Sequence, residues 1–190
     1  MMIEAEVKAR VRDPAKVRDL LRARAAEEVS RYWDTYYDLP GKVLTAAGRE
    51  LRVRVIETGG QRRCLLTYKA AAVDEATGSK PETETPVGDP DAMDLILLSL
   101  GYGHLVAFEK RCANYAFTAH GRDMLATLVT LPELDGTFLE VETMIGEQQD
   151  LDAALADIRA VLGQLGVTDA ELTTGQYTDA VMRHRPETDS

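Results

Sequence analysis

The stretch "IEAEVKARVR", residues 3–12, alternates strictly between apolar and charged side chains, and no other pattern in the chain constrains the fold so strongly. A period of two is typical of a β-strand with one apolar face and one charged face. The charged face carries Glu4, Glu6 and Lys8. If this face points to water, the strand is an ordinary half-buried one. If it points into a cavity, its charges are held together for chemistry.

The size and charge of the chain restrict its class. Its 190 residues suit one domain, which we place at 1–185, followed by a disordered tail at 186–190. The net charge of −10 argues against binding to nucleic acid or to anionic membranes, and no apolar run reaches the ~18–20 residues of a membrane span. Because the first residues lack a signal-peptide pattern, we expect a cytoplasmic monomer or homodimer with reduced thiols at Cys64 and Cys112.

Turn and cap signals divide the chain into about eight strands and four helices. Asp-Pro pairs at 13–14 and 89–90 are typical of helix starts. A Gly-Gly turn separates strands at 50–57 and 62–70. Because hairpins dominate, we predict an antiparallel α+β domain. The other strands are predicted at 31–40, 80–87, 104–118, up to about 130 and 136–145, and the other helices at 148–165 and 173–185.

Like charges recur on one face of several predicted strands. Glu140 and Glu142 repeat the paired acids of the first strand, while Arg52 and Arg54 pair two bases. Taken singly, each pair is most simply a solvated sheet face. Together they favour another reading, since paired carboxylates suit a divalent cation and paired arginines suit a polyphosphate. A closed antiparallel barrel would collect these faces inside, with the apolar faces under outer helices.

An ordered set of short motifs runs along the chain: "IEAEVK" at 3–8, "DTYYD" at 34–38, "LRVR" at 51–54, "LTYK" at 66–69, "KPETE" at 80–84, "EKR" at 109–111 and "GTFLEVE" at 136–142. This set resembles that of the CYTH superfamily, or triphosphate tunnel metalloenzymes, which includes class IV adenylyl cyclases, thiamine triphosphatases and inorganic triphosphatases. The segment from "LTYK" to "KPETE" is most similar to the cyclase-like branch. Tyr177 in "GQYTDAV" resembles the tyrosine of the family's closing helix.

This resemblance implies an eight-stranded antiparallel barrel that binds a triphosphate lengthwise, with helices packed outside. It implies catalytic roles for Lys8, Arg54 and Lys69. It also implies that Mg²⁺ or Mn²⁺ is the cofactor, with the ligands Glu4, Glu6, Glu140 and Glu142. The implied phosphate-binding residues are Lys8, Arg52, Arg54, Lys69, Lys80 and Arg111.

Three positions depart from the family's pattern. Lys80 stands where the cyclase-like branch usually has arginine, and Thr130 stands where the family usually brings an aspartate into the tunnel. Lys110 and Arg111 are adjacent, whereas the family spaces its late lysine and arginine by one residue. Only one of the two can face inward, and we predict Arg111 because it shares the parity of Glu109.

The resemblance leaves three functions open. The first is cyclisation of ATP to cyclic AMP and pyrophosphate. The second is hydrolysis of thiamine triphosphate, inorganic tripolyphosphate or another organic triphosphate. The third is a non-catalytic module that binds a nucleotide or an organic phosphate. We place the cyclase first because of the "LTYK" to "KPETE" pattern.

Overall fold

The computed structural model describes residues 2–185, whose eight strands form one closed barrel. Around the barrel the order is β1-β5-β4-β3-β2-β6-β7-β8, and every neighbouring pair is antiparallel. The predicted α+β class and eight-stranded barrel are therefore confirmed. The predicted tail at 186–190 lies outside the described residues. The strands are β1 (Met2–Val11), β2 (Glu28–Asp38), β3 (Glu50–Thr58), β4 (Gln61–Lys69), β5 (Lys80–Val87), β6 (Gly103–Ala119), β7 (Arg122–Leu131) and β8 (Leu134–Ile145).

Within residues 2–185, five α-helices lie around the barrel, one more than predicted. Asp13 and Asp89 cap two of them, since their side chains accept backbone N–H groups of the first turn and a proline follows each. The additional helix is a single short turn, and its Leu44 and Thr45 backbone N–H groups donate to the carboxylate of Asp38. None of these helices is long and apolar enough to cross a membrane. They are α1 (Pro14–Arg22), α2 (Val43–Ala46), α3 (Pro90–Ser99), α4 (Leu151–Gln164) and α5 (Tyr177–His184), with 3₁₀ turns at Gln148–Asp150 and Asp169–Glu171.

The apolar face of β1 points outward, beneath the helices, so its charged face points into the barrel. Ala5 and Ala9 are fully buried in the main hydrophobic cluster, together with Val141 of β8 and Ile158 of α4. Small alanine side chains allow α4 to lie close to the strand, and burial of these apolar groups contributes roughly 25 cal/mol per Å² to stability. Because the apolar side chains of β1 pack against the helices, the charged side chains that alternate with them point into the barrel.

One end of the barrel is filled by α5, and we call it the plugged end. Tyr36, Phe108 and Val129 pack there with Tyr177 and Val181 of α5 in one buried cluster. The rings of Tyr36 and Phe108 are stacked with their centroids 5.7 Å apart. The opposite end, where β1 begins and β8 ends, is called the open end. Side chains of α5 therefore fill part of the interior at the plugged end.

The two cysteines belong to the packing of the barrel. Cys64 and Cys112 are both buried and neither forms a disulfide, as predicted. Cys64 packs under α3 with Leu97, whereas Cys112 belongs to the cluster at the plugged end.

Candidate active site

A cavity of about 220 Å³ lies inside the barrel, and all eight strands contribute side chains to its wall. Of the residues predicted to form the site, all except Arg111 line this cavity. Arg63 of β4 lines it as well and was not predicted. Seven lining residues are basic and seven are acidic: Lys8, Arg52, Arg54, Arg63, Lys69, Lys80 and Lys110, and Glu4, Glu6, Glu50, Glu82, Glu84, Glu140 and Glu142.

Three carboxylates from β1 and β8 form what we call the carboxylate group. Oxygen atoms of Glu4, Glu6 and Glu142 all lie within 4.8 Å of one another. The strand register holds them together, since Glu6 is directly opposite Glu142. Burial and the charges of Glu140 and Glu4 raise the pKa of Glu6 to about 7. Burial and the charges of Glu4 and Glu6 raise the pKa of Glu142 well above its ordinary value.

The fourth predicted metal ligand, Glu140, lies with cations instead. Both of its carboxylate oxygens are 3.4 Å from Lys110 Nζ. Burial alone would raise the pKa of Glu140, but Lys110 and Lys8 lower it to about 2. The ammonium groups of Lys8 and Lys110 lie 4.3 and 4.5 Å from the ring centroid of Tyr177. The structure therefore does not bring Glu140 into the carboxylate group.

The wall formed by β2 and β3 carries an arginine pair held by Asp34. Arg54 Nε and Nη2 each donate a 2.6 Å hydrogen bond to the Asp34 carboxylate, and Arg52 Nη1 lies 3.8 Å from it. Burial opposes ionisation of Asp34, but Arg54 and Arg52 lower its pKa to about 2. The register of β2 with β3 places Asp34 opposite Arg54. This residue stands in the "DTYYD" motif, so alternation in β2 was the signal that could have found it.

The two predicted cations of β4 and β5 are also held by carboxylates. Lys69 is ion-paired with Glu4 and lies 3.1 Å from Glu82. Lys80 Nζ lies 2.5 Å from the carboxylate of Glu50. Glu82 was not predicted, although it alternates with Lys80 in the "KPETE" motif. These pairs join the carboxylate group to the basic part of the cavity.

Some polar atoms in this cavity are buried without a partner. Within residues 2–185, the buried side-chain atoms that lack a hydrogen bond are Arg52 Nε, Tyr177 Oη and Glu82 Oε2, and all three residues line the cavity. Glu82 Oε2 lies 3.1 Å from Lys69 Nζ but is not aligned for a hydrogen bond. Buried polar atoms without partners are costly, whether donors such as Arg52 Nε or acceptors such as Glu82 Oε2, and a ligand in the cavity could supply the missing partners.

The prediction that Arg111 faces the interior is wrong. Arg111 is on the outer surface, where its Nε lies 3.0 Å from Glu109, and its side chain is 57% exposed. Lys110 takes the interior position and is 5% exposed. The inward-facing positions of β6 are those of Phe108, Lys110 and Cys112, all of which are buried.

The prediction that Thr130 faces the tunnel is wrong for a related reason. Thr130 is exposed and opposite Arg111 on the outer surface. The β7 residues that line the cavity are Leu125 and Thr127. Thr127 is held in a polar network, since its hydroxyl donates to Asn114 Oδ1 at 3.1 Å. No aspartate of β7 therefore replaces or accompanies the carboxylate group.

Comparison with known proteins identifies a matching family and relatives of this chain. The sequence model of the CYTH domain family matches residues 2–177. A relative from Methanocaldococcus jannaschii, provisionally named an adenylate cyclase, is 24% identical over 180 residues, which cover 94% of this chain and 98% of the relative.

Two solved structures share the fold. A protein from Pyrococcus horikoshii OT3 has a TM-score of 0.84 and 24% identity, with coverage of 96% of this chain and 99% of that chain. A protein from Hippeastrum, provisionally named an adenylyl cyclase and described as having a dominant triphosphatase activity, has a TM-score of 0.63 and 15% identity, with coverage of 99% and 98%.

Proposed function

The chain belongs to the CYTH domain family, and on that basis we propose that it converts ATP to cyclic AMP and pyrophosphate with a divalent metal ion. The observation that carries this proposal is the coexistence, in one cavity, of basic side chains from several strands with a group of three carboxylates within 4.8 Å of one another. Basic side chains bind phosphate oxygens, while clustered carboxylates bind hard cations. A metal–triphosphate complex needs both.

The charge balance of the cavity supports a metal complex over a free anion. Its lining residues include seven basic and seven acidic side chains. A site built only to bind phosphate would carry an excess of positive charge. When all of these carboxylates are ionised, an ATP tetra-anion placed in the cavity needs additional cations, and a divalent ion at the carboxylate group would contribute positive charge.

The residues of the carboxylate group fit Mg²⁺ or Mn²⁺. Both ions take oxygen ligands, and Mg²⁺ usually binds one or two carboxylates together with substrate phosphates. Glu4, Glu6 and Glu142 would hold the ion, which would offset the burial and the neighbouring negative charges that together raise the pKa of Glu6 to about 7. When bound, such an ion neutralises charge on the phosphate oxygens and lowers the pKa of a coordinated nucleophile. We assign Glu140 to orienting Lys110.

In the proposed reaction, the ribose 3′-oxygen attacks the α-phosphorus. A new O3′–P bond forms, the bond from the α-phosphorus to the bridging oxygen breaks, and pyrophosphate leaves with the electron pair. The hydroxyl proton passes to solvent. Positioning and neutralisation of charge supply most of the catalysis in phosphoryl transfer.

The basic residues would divide this work between them. Lys69 and Arg52 would bind phosphate oxygens, with Arg52 Nε as a donor that is buried and without a partner among the described residues. Arg54 would present its guanidinium in an orientation that Asp34 fixes through two hydrogen bonds. Lys8 and Lys110, which lie against the ring of Tyr177, would hold the phosphates of the leaving group.

Triphosphate hydrolysis is the second candidate. The Hippeastrum protein, which has the same fold, is described as having a dominant triphosphatase activity. The inner charges needed for attack by water on the terminal phosphorus are the same as those for cyclisation. The two reactions differ in which phosphorus is attacked.

Incubation with ATP, tripolyphosphate and thiamine triphosphate, each with Mg²⁺ or Mn²⁺, tests the proposal when every product is resolved. Cyclic AMP and pyrophosphate from ATP would support the cyclase. ADP and orthophosphate, or turnover of tripolyphosphate alone, would assign a triphosphatase. Binding of ATP without turnover would assign a module that only binds nucleotides.

A further inference from the structure

Along β1, the inner wall of the barrel changes from basic at Lys8 to acidic at Glu6 and Glu4 toward the open end. Lys8 and Lys110 contact Tyr177 of α5 at the plugged end. Along β1 and β8, the next inward-facing positions toward the open end belong to the carboxylate group, with Glu4 outermost on β1 and Glu142 outermost on β8. The acidic part therefore lies nearer to the open end than the deep lysines do.

Toward the open end from the carboxylate group, several inward-facing positions are apolar. Ile56, Leu65 and Leu125 line the cavity toward the open end. Met2 and Met144 continue the inward-facing alternation of β1 and β8, and they are 46% and 44% exposed. Leu125 is opposite Glu142, and Met144 is opposite Glu4. These five apolar side chains, which come from five strands, are called the collar: Met2, Ile56, Leu65, Leu125 and Met144.

The collar is not explained by packing alone. Apolar side chains at the inner rim of a charged cavity gain nothing from phosphate or metal binding, and two of them are left partly in water. Methionine is flexible and polarizable, and it favours contacts with aromatic rings. Arg63 stands next to Leu65 in the inward-facing alternation of β4 and forms no ion pair within residues 2–185. Its planar guanidinium is suited to stacking on a heterocycle.

We propose that the collar binds the nucleobase and sugar of the substrate, so that the protein prefers a nucleoside triphosphate to inorganic tripolyphosphate. This inference rests on the proposed function and deepens it. Because α5 fills the plugged end, the substrate enters phosphate first, and its terminal phosphate reaches Lys8 and Lys110. The α-phosphate then lies beside the carboxylate group, directly beneath the collar. This orientation places the metal ligands near the phosphorus that a cyclase attacks.

Equilibrium binding with unreactive ligands tests the collar without relying on turnover. The two probes are ATP and tripolyphosphate analogues with methylene groups in place of both bridging oxygens, measured with Mn²⁺ by calorimetry. In a Leu65→Ala/Leu125→Ala variant, we expect the dissociation constant of the ATP analogue to rise about tenfold. The tripolyphosphate analogue should change by less than about twofold, because it does not reach the collar.

Matched variants distinguish a specific effect of the collar from a general effect of substitution on the protein. Val29→Ala removes an exposed apolar side chain from the outer surface of β2 and should leave both affinities unchanged. Leu65→Met/Leu125→Met keeps the apolar surface and should restore most of the ATP affinity. If the double alanine variant fails to fold, Met144→Ser offers a second test, because Met144 is partly exposed. This substitution should also raise the dissociation constant of the ATP analogue.

Each result decides the proposal. Equal weakening of both analogues, no change in either, or a wild-type protein that does not prefer the ATP analogue would overturn it. The product assay with natural triphosphates is independent of this measurement. A protein that turns over no triphosphate would refute the proposed reaction, whereas selective loss of the ATP analogue would still support the collar.

Discussion

Asp34 is buried beside Arg54 in the barrel wall, whereas Glu6 is a half-buried carboxylate that lines the cavity, and their surroundings are opposite. Asp34 accepts two hydrogen bonds from Arg54 and lies near Arg52, and its pKa is about 2. Glu6 lies among other carboxylates, and its pKa is raised to about 7. The first group is neutralised within the protein. The second lacks enough positive charge nearby and is suited to a cation from solution.

This difference separates a carboxylate that stabilises the fold and orients Arg54 from carboxylates that are suited to binding a metal ion. A buried ion pair that is fully hydrogen-bonded tolerates the absence of a ligand. Crowded like charges reduce stability, and a protein retains them where they serve a function. Removing a charge should therefore have opposite effects on stability at the two places.

The largest effect is expected from Asp34→Ala. It leaves the guanidinium groups of Arg54 and Arg52 buried without their carboxylate partner, which should cost about 3–5 kcal/mol in the free energy of unfolding. Urea denaturation measures this change. Glu109→Gln removes one partner of the exposed Arg111 pair and should cost less than about 1 kcal/mol. Similar losses for both variants would show that Asp34 has no special structural role.

Glu6→Gln, in contrast, should lower turnover without lowering the free energy of unfolding. Turnover should fall at least about a hundredfold, because a metal ligand is lost. Without metal, the variant should be as stable as the wild type or more stable, since one of three crowded carboxylates is removed. Glu57→Gln, on the outward face of β3, is the control for both measurements. A Glu6→Gln protein with wild-type turnover would refute the metal assignment.

Acid should lower the free energy of unfolding, because Asp34 becomes protonated. The folded-state pKa of Asp34 is about 2, below the ordinary value of 3.8, so its contribution to stability is present above the ordinary value and is lost as the pH falls toward 2. The shift corresponds to about 2 kcal/mol at about pH 5, of which about 1 kcal/mol is lost by about pH 3. Urea denaturation at these two pH values should show a smaller difference in Asp34→Asn than in the wild type. If Asp34→Asn and the wild type lose the same free energy of unfolding between the two pH values, the ion pair of Asp34 with Arg54 is not a source of acid sensitivity.

The smallest effect is expected at Arg111, which the sequence pattern misassigned. Because Arg111 is exposed, Arg111→Ala should change stability by less than about 0.5 kcal/mol and leave the Michaelis constant unchanged. Lys110→Ala should raise the Michaelis constant clearly, since Lys110 is buried beside Glu140 in the cavity. Reversed effects would contradict the register of β6.

The barrel and most of its inner residues could be predicted because β1, β3, β4 and β8 alternate with a clear period of two. In β6, the outer face is also apolar, as Tyr115 is fully buried in the main hydrophobic cluster. Apolar character therefore does not distinguish the inner face of β6 from its outer face. The position of Glu109 does not show which of Lys110 and Arg111 faces inward. In β7, a register irregularity against β8 lies between Val129 and Leu131, next to the misassigned Thr130.

Other residues could not be assigned because their roles depend on partners from distant strands. Asp34 acquires its role only when β2 pairs with β3, which places it opposite Arg54. Glu140 was grouped with Glu142 because the two share a strand face. Separation along the barrel, together with Lys110 from β6, puts Glu140 among cations instead. A sequence pattern gives the face of a residue but not the charge that meets it.

Binding of Mn²⁺ measured by electron paramagnetic resonance tests the central claim most directly, because it does not depend on the reaction. The signal of free Mn²⁺ should fall saturably when wild-type protein is added with tripolyphosphate, and Glu57→Gln should behave in the same way. Glu142→Gln should leave most of the Mn²⁺ free beyond what tripolyphosphate alone binds, since the carboxylate group has lost one of its ligands. Equal Mn²⁺ binding by the wild type and by Glu142→Gln, with both proteins folded, would contradict the account.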